Sequence, residues 1–331
     1  MQRLGTWRIL IALRFGLERP PMATVIEEFH GAAPGSALSR TYAANRWCPF
    51  VDKVCKKSRS GGVCSLSPAV GEPVIICPNR LYGNTFKVIL EVAQECFGAS
   101  SEIVSPDDMA QRHHEGLRTG NEVMVYGQGF AEEVAIASPK TNGKKSGNFK
   151  VDYILVRPSE VDLSPEAIVA IEVQSIDTTN SYKQQANALY AADQSIALDS
   201  RDHATTAGFN WENVNKRILP QVIYKGHALR RERLAKHGLF FILPDSVYQR
   251  ILERIGGKLL SIPQGPGTVT FKTYRLGDRQ ADGNRALEFA QRFTTSVDQI
   301  AFAFVSPQNL PAEGAYEQIL REKARKLASR P

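Results

Sequence analysis

Asp152, Glu172 and Gln174 are the residues of this chain whose types and spacing could do chemistry together. They lie in NFKVDYILVRPSEVDLSPEAIVAIEVQ, residues 148–174, which reads as two strands joined by a short polar connector. In the first strand Phe149, Val151, Tyr153 and Leu155 share one parity, and Lys150, Asp152, Ile154 and Val156 share the other. In the second, Val169, Ile171 and Val173 form an apolar row, with Ala170, Glu172 and Gln174 opposite. Side chains alternate along a strand, so Glu172 and Gln174 stand side by side. Burying even a neutral polar group without a partner costs on the order of 1–3 kcal/mol. A carboxylate in a Val/Ile strand therefore calls for something to offset that cost, and a metal ion is a natural candidate.

Asp followed one hairpin later by Glu-x-Gln is a variant of the nuclease motif Asp…Glu-x-Lys. Two carboxylates on neighbouring strands can hold Mg²⁺, which takes oxygen ligands and keeps several waters. Such an ion polarises a scissile phosphate and lowers the pKa of bound water. Gln174 can orient that water but carries no charge, so the electrostatic help usually given by Lys must come from elsewhere. Taken alone, the spacing of the pair fits solvated acids at strand edges equally well.

A second set of candidates is sulfur. Cys48, Cys55, Cys64 and Cys77 fall within thirty residues that also carry Arg46, Lys53, Lys56, Lys57 and Arg59. Little apolar periodicity runs through this stretch, so it would gain from a cross-link. Four thiolates can bind zinc or iron tetrahedrally. No C-x-x-C pair is present, so spacing leaves a metal site and simple free thiols both open. Disulfides would need an oxidising compartment, and no secretory signal argues for one. Cys96 differs: it follows Phe86, Ile89, Leu90 and Ala93 at helical spacing and reads as a core residue.

The elements that must position these groups can be read more coarsely. With 331 residues, 43% hydrophobic and 23% charged, the chain has ample surface to bury a core and the balance of a soluble globular protein. Its net charge of +7 shifts the odds towards a polyanionic partner. Near the N-terminus Ile9–Leu13 is apolar, but Arg14 ends the run well short of a membrane span. Residues 1–25 read as an extension, with Met22 a candidate start. The expected location is the cytoplasm, with no membrane partner.

Residues 25–45 hold a short amphipathic piece and a Gly/Ala/Pro/Ser loop. Residues 105–120 predict a helix with a Ser-Pro-Asp start and a Gly stop, which sets His113 and His114 on different faces as surface residues. Val123–Tyr126 and Val134–Ala137 read as two apolar segments flanking Glu132 and Glu133, and a Gly/Lys/Ser loop at 141–147 leads to Asp152. Residues 210–237 carry a long helical pattern broken or kinked at Pro220. Its Lys216, Arg217, Lys225, Arg230, Arg231, Arg233 and Lys236 form either a solvated face or a DNA-phosphate face. LFFIL (239–243), TVTFKTYRL (268–276) and IAFAF (300–304) predict strands, and 312–331 a basic amphipathic helix.

The motifs line up, in order, with those of a known family. R-W-C-P-F at 46–50, G-V-C-S at 62–65, C-P-N-R at 77–80, E-V-A-I at 133–136, V-D-Y-I-L at 151–155, E-V-Q-S-I-D at 172–177, S-Y-K at 181–183, and N-V-N-K-R with Q-V-I-Y-K at 213–225 resemble the NotI family of type II restriction endonucleases. The resemblance covers about residues 45–245. It implies catalytic roles for Glu133, Asp152, Glu172 and Gln174, with Asp152 and Glu172 holding Mg²⁺. It also implies a structural iron or zinc site on Cys48, Cys55, Cys64 and Cys77. The activity implied is Mg²⁺-dependent, sequence-specific cleavage of double-stranded DNA by a homodimer, alongside a cognate DNA methyltransferase.

The expected fold is α/β, a restriction-endonuclease-like mixed central sheet flanked by helices, with a small four-cysteine region beside it. The expected organisation is an extension (1–25), the cysteine region (26–105), the nuclease core of the PD-(D/E)xK type (106–305) and a basic C-terminal helix (306–331). Two other classes stay open: a repair or modification-directed nuclease with the same core, and a non-catalytic metal-stabilised DNA-binding protein. The complete set Glu133, Asp152, Glu172 and Gln174 argues against the second.

Overall fold

The structure, a computed structural model, describes residues 24–59, 61–137, 148–191, 204–306 and 311–329. Most of the N-terminal extension, the 141–147 loop and the last two residues lie outside them. Among the described residues no helix is long and apolar enough to cross a membrane.

The N-terminal third builds a small sheet and the cysteine region. It runs β1 (Thr24–Phe29), α1 (Ala37–Ala44), β2 (Trp47–Cys48), β3 (Lys53–Val54), β4 (Val63–Ser67) and β5 (Val74–Ile75). The next segment holds α2 (Gly83–Phe97), β6 (Glu102–Val104), α3 (Pro106–Glu115), β7 (Glu122–Gly127), β8 (Ala135–Ala137) and β9 (Asn148–Lys150). Then come β10 (Tyr153–Pro158), β11 (Pro165–Val173), α4 (Lys183–Ala191), β12 (Ala204–Thr205), α5 (Leu219–Leu229), β13 (Leu239–Pro244) and α6 (Asp245–Ile255). The chain closes with β14 (Thr268–Arg279), β15 (Arg285–Ser296), α7 (Val297–Val305) and α8 (Ala315–Ala328).

Seven strands form one mixed sheet in the order β15-β14-β13-β11-β10-β7-β6. β10 runs antiparallel to β7 and β11, whereas β11, β13 and β14 are mutually parallel. All six residues of β13 are buried, as expected of a continuous apolar run covered on both faces. On one face Val169, Ile171 and Val173 pack with Val88, Ile89 and Val92 of α2. On the other, Ala170 packs with Leu219 and Val222 of α5 and Val247 of α6. This is the mixed sheet with flanking helices that the sequence predicts.

The small sheet, order β12-β1-β4-β5, has no core to itself. Its Ile26, Phe29, Val63 and Leu66 belong to the same apolar cluster as Ala170 and Phe241 of the large sheet and Leu219 of α5. The cysteine stretch thus has an ordered interior, which its sparse periodicity hides. A buried polar clasp fastens the two sheets: Arg80 Nε lies 2.9 Å from Glu28 Oε1, Ser65 Oγ donates to Glu28 Oε2 at 2.7 Å, and Arg80 also donates to the carbonyl of Arg285 at 2.7 Å. Removing one charge of a buried pair strands the other, at about 3–5 kcal/mol. Arg80→Met is therefore expected to lower stability by that order in urea denaturation; a loss below about 1 kcal/mol would show the clasp to be dispensable.

Several expectations need correction. IAFAF is part of helix α7, not a strand: Ser296 caps it by accepting from Gln299 N at 3.1 Å, and the buried pair Val297 and Ile300 is spaced for one helical face. The edge strand lies just before it, in the mostly half-buried β15. The 210–237 helix is shorter than expected. Val214–Ile218 form a wide π-helical turn, Pro220 stands in the first turn of α5, and that helix ends at Leu229. Finally, the Asp152 strand is not continuous. β9 ends at Lys150 and β10 begins at Tyr153, so Val151 faces one apolar cluster while Tyr153 and Leu155 face the other.

The loop expected within residues 25–45 also departs from its reading: Ala37–Ala44 form helix α1, started by Ser36, whose side chain accepts from Ser39 N. α3 starts at a Ser105 cap and stops at the left-handed Gly116. Cys96 is partly buried against the core, and burial pushes its thiol up to about 12.

Candidate active site

The break at Val151–Asp152 makes the site. The β10–β11 register pairs Tyr153 with Ile171, so one step further on Asp152 stands across from Glu172. Asp152 leaves the ladder there, and its Oδ2 accepts from the backbone N–H of Val173 at 2.8 Å. Opposite lies Gly127 of β7, with φ of 144°, where a Cβ would come within 2.4 Å of the Asp152 carbonyl oxygen. The strand can turn in at this point because its neighbour has no side chain.

Glu172 is buried and Asp152 half-buried, and neither rests easily. Burial pushes the Asp152 carboxyl above its ordinary range, against the Val173 amide and Lys225, which favour the charged form. Glu172 is pushed up to about 7, first by burial and then by the negative charge of Asp152. Lys225 of α5 opposes this, with Nζ 2.5 Å from Glu172 Oε1. The other carboxylate oxygen, Glu172 Oε2, is buried with no hydrogen-bond partner among the described residues. A buried acceptor left unpaired costs on the order of 1–3 kcal/mol, so this oxygen is poised to accept a ligand.

The remaining predicted site residues sit less tightly. Gln174 follows directly on β11; its backbone N–H donates to Ile242 O at 2.9 Å and its Nε2 to Ser175 O at 2.8 Å. Glu133 is exposed, 3.4 Å from Lys150 Nζ, and near enough for its charge to raise Asp152. It stands in the wall of a cleft of about 410 Å³ shared with Lys53, Lys56, Asn79 and Gln128. The structure thus brings Asp152 and Glu172 together, with Gln174 beside them and Glu133 at the rim. The predicted basic face of 210–237 is divided: Lys225 turns inwards to Glu172, whereas Lys216 and Arg217 pair with exposed acids. The pairing of Lys225 with Glu172 has no signal in the sequence beyond the positive charge that the Glu-x-Gln motif lacks.

Cys48, Cys55, Cys64 and Cys77 are all buried free thiols. Burial raises the first three, Cys55 to about 11, and the negative charge of Cys77 adds to each of these shifts. Backbone N–H groups of Phe50 and Val51 favour the Cys48 thiolate, and that of Lys57 favours the Cys55 thiolate. Among the described residues no group of three or more His, Cys, Asp or Glu is arranged to hold a metal ion as it stands. A chain of contacts links this region to β10. Asn79 Nδ2 lies 3.9 Å from Cys48 Sγ, Gln128 Nε2 donates to Asn79 Oδ1 at 3.4 Å, and Tyr153 Oη donates to Gln128 O at 3.1 Å.

His30, buried beside the cysteines, has its tautomer set by its partners. Its Nδ1 donates to the Trp47 carbonyl at 2.7 Å, so its Nε2, at 2.6 Å, accepts from the Tyr190 hydroxyl. Burial holds its pKa below the ordinary 6.5. The unfolded chain therefore takes up a proton near 6.5 that the folded chain refuses. The stabilisation is full above that value and is lost as the pH falls towards the lower folded value. Stability in urea is expected to decline from pH 7 to pH 5, with a flatter slope in His30→Gln; equal slopes would exclude His30 as the cause.

A mixed sheet flanked by helices, with a buried and a half-buried carboxyl meeting at adjacent antiparallel strands, is consistent with the restriction-endonuclease-like α/β nucleases. The family model described as "Restriction endonuclease NotI" matches residues 34–237, more than half of the chain. The chain belongs to that family. The match includes all four cysteines, the Asp152–Gln174 hairpin and Lys225, and stops before β13. No curated protein matches the chain.

Proposed function

We propose that this protein is a type II restriction endonuclease that cuts both strands of a specific DNA site by phosphodiester hydrolysis. The observation that carries this reading is the buried, unpartnered Glu172 Oε2 beside Asp152. A site of two carboxyls pushed towards neutrality by burial, with the charge of Asp152 adding to the shift of Glu172, gains most from a hard divalent cation. Asp152 and Glu172 would hold Mg²⁺, which when bound polarises a phosphate oxygen and acidifies water. Gln174, with its Nε2 committed to Ser175, would present its amide oxygen to the attacking water. Glu133, at the rim beside Lys150, would act on the same centre from further out.

Cys48, Cys55, Cys64 and Cys77 would hold structural iron or zinc, a reading supported by their burial, their mutual electrostatic influence and the amide donors around Cys48 and Cys55. A homodimer would place one site on each strand of a symmetric duplex, and a cognate methyltransferase would protect the host. The decisive experiment incubates purified protein with genomic DNA and Mg²⁺ and sequences the ends. A single short motif at every end is expected. Ends without a common motif would overturn restriction in favour of a repair-type nuclease, and intact DNA would overturn nuclease activity.

A further inference from the structure

The Glu-x-Gln motif leaves the hairpin without the lysine that follows the glutamate by two residues in Glu-x-Lys nucleases. Two carboxylates, a phosphate and an incipient hydroxide would then share a site to which Asp152, Glu172 and Gln174 contribute no positive charge. Lys225 reaches it from α5, on the sheet face where Ala170 and Glu172 point. Its side chain is only 16% exposed and its Nζ lies 2.5 Å from Glu172 Oε1. Burying an ammonium for a surface-type ion pair would gain little. Its approach is built in: the next residue, Gly226, sits against Val297 of α7, where a Cβ would come within 2.8 Å of Cγ2, so α5 is drawn tightly onto the body of the protein. The π-helical turn before α5 sets the angular position of the helix as it enters the core.

We propose that Lys225 supplies from helix α5 the positive charge that Gln174 does not, a lysine moved from the catalytic strand to a neighbouring helix while serving the same centre. One Glu172 oxygen is held by this lysine and the other is left for the metal, so the cation and the metal ligand share a single carboxylate. Lys225 is then a counter-charge for the phosphate and for the activated water, and the metal does not depend on it. This inference rests on the nuclease reading above.

The test compares Lys225→Met, Lys225→Arg, and Lys225→Met combined with Gln174→Lys. Lys225→Met is expected to slow cleavage by about 100-fold or more, the usual scale for losing one charge-stabilising group. Adding Gln174→Lys should recover at least about tenfold of that loss, because the lysine returns to the strand position. Lys225→Arg should keep part of the activity and guards against a folding defect in the methionine variant. Two readouts need no turnover. Mn²⁺ titration at pH 8.5 without DNA should show affinity in Lys225→Met no weaker than in the parent. DNA binding in Ca²⁺ should lose about one unit of salt slope. Wild-type cleavage by a folded Lys225→Met protein, or a double variant as slow as the single one, would overturn the proposal. Mn²⁺ affinity that collapses in Lys225→Met would overturn it too, by making the lysine a mere support for the ligand. Absence of cleavage by the parent protein would instead fault the nuclease reading, and the two turnover-free measurements would still judge Lys225.

Discussion

Glu172→Ala is expected to abolish cleavage, by at least about 10³-fold, while specific DNA binding in Ca²⁺ is kept or tightened. Two opposed effects of one carboxylate lead to this result. In the proposed mechanism the buried, unpartnered oxygen of Glu172 would hold the metal, and without it nothing would acidify the water. Without metal, the same carboxylate and Asp152 face phosphate oxygens of like sign, so removing one relieves a repulsion. Asp152→Ala should behave likewise. Gln174→Ala should be severe but should leave metal binding in place, since the amide only orients water. Gln174→Glu separates the two roles: it keeps an acceptor at that position but adds a third negative charge to a centre already crowded by two. Binding measured in Ca²⁺ and cleavage in Mg²⁺ distinguish these outcomes. Near-normal turnover by Glu172→Ala would remove the hairpin from consideration as the active centre.

Cys64→Ser should have the second-largest effect, and on folding more than on catalysis. Cys64 lies on β4, buried, with Ile76 N and Cys77 N both donating to its carbonyl at 3.0 and 3.2 Å. Burial raises its thiol, and the charges of Cys77, Glu28, Cys48 and Cys55 raise it further. In the proposed site a cation would stabilise these thiolates, and its binding would be part of the folding free energy. The variant is expected to lose bound iron or zinc together with about 3 kcal/mol or more of stability. Any protein that stays folded should keep its Mg²⁺ chemistry. Elemental analysis of the native protein, paired with thermal unfolding of both proteins, checks this. Native protein free of iron and zinc would leave the effect without its cause.

What could be read from residues alone followed the range of the forces involved. The face of β11 that carries Glu172 was legible because alternation along a strand is fixed by covalent geometry. The capped helix α3 was legible for a similar reason, since its start and stop signals lie within one turn of its ends. The break at Val151–Asp152 was not, because it depends on a carboxylate choosing the Val173 amide over its own strand ladder. IAFAF alternates over too few residues to separate a strand from a helix face, and the Ser296 cap that decides it is a single polar residue. Lys225 looked like one more cation on a basic helix. Only the docking of α5 on the sheet distinguishes it from Lys216 and Arg217, which stay at the surface.

The way the small sheet is assembled limits how this protein can evolve. Its first strand, β1, is bordered on one side by β4 and on the other by β12, two residues contributed from beyond the β10–β11 hairpin. Its apolar side chains are completed by those of the large sheet. A cassette carrying the cysteines could not be exchanged between relatives without leaving an unpaired strand edge and half an interior at the seam. Any change of surface arising in that region would therefore have to come by substitution in place, one residue at a time, around a framework held constant by its partner sheet.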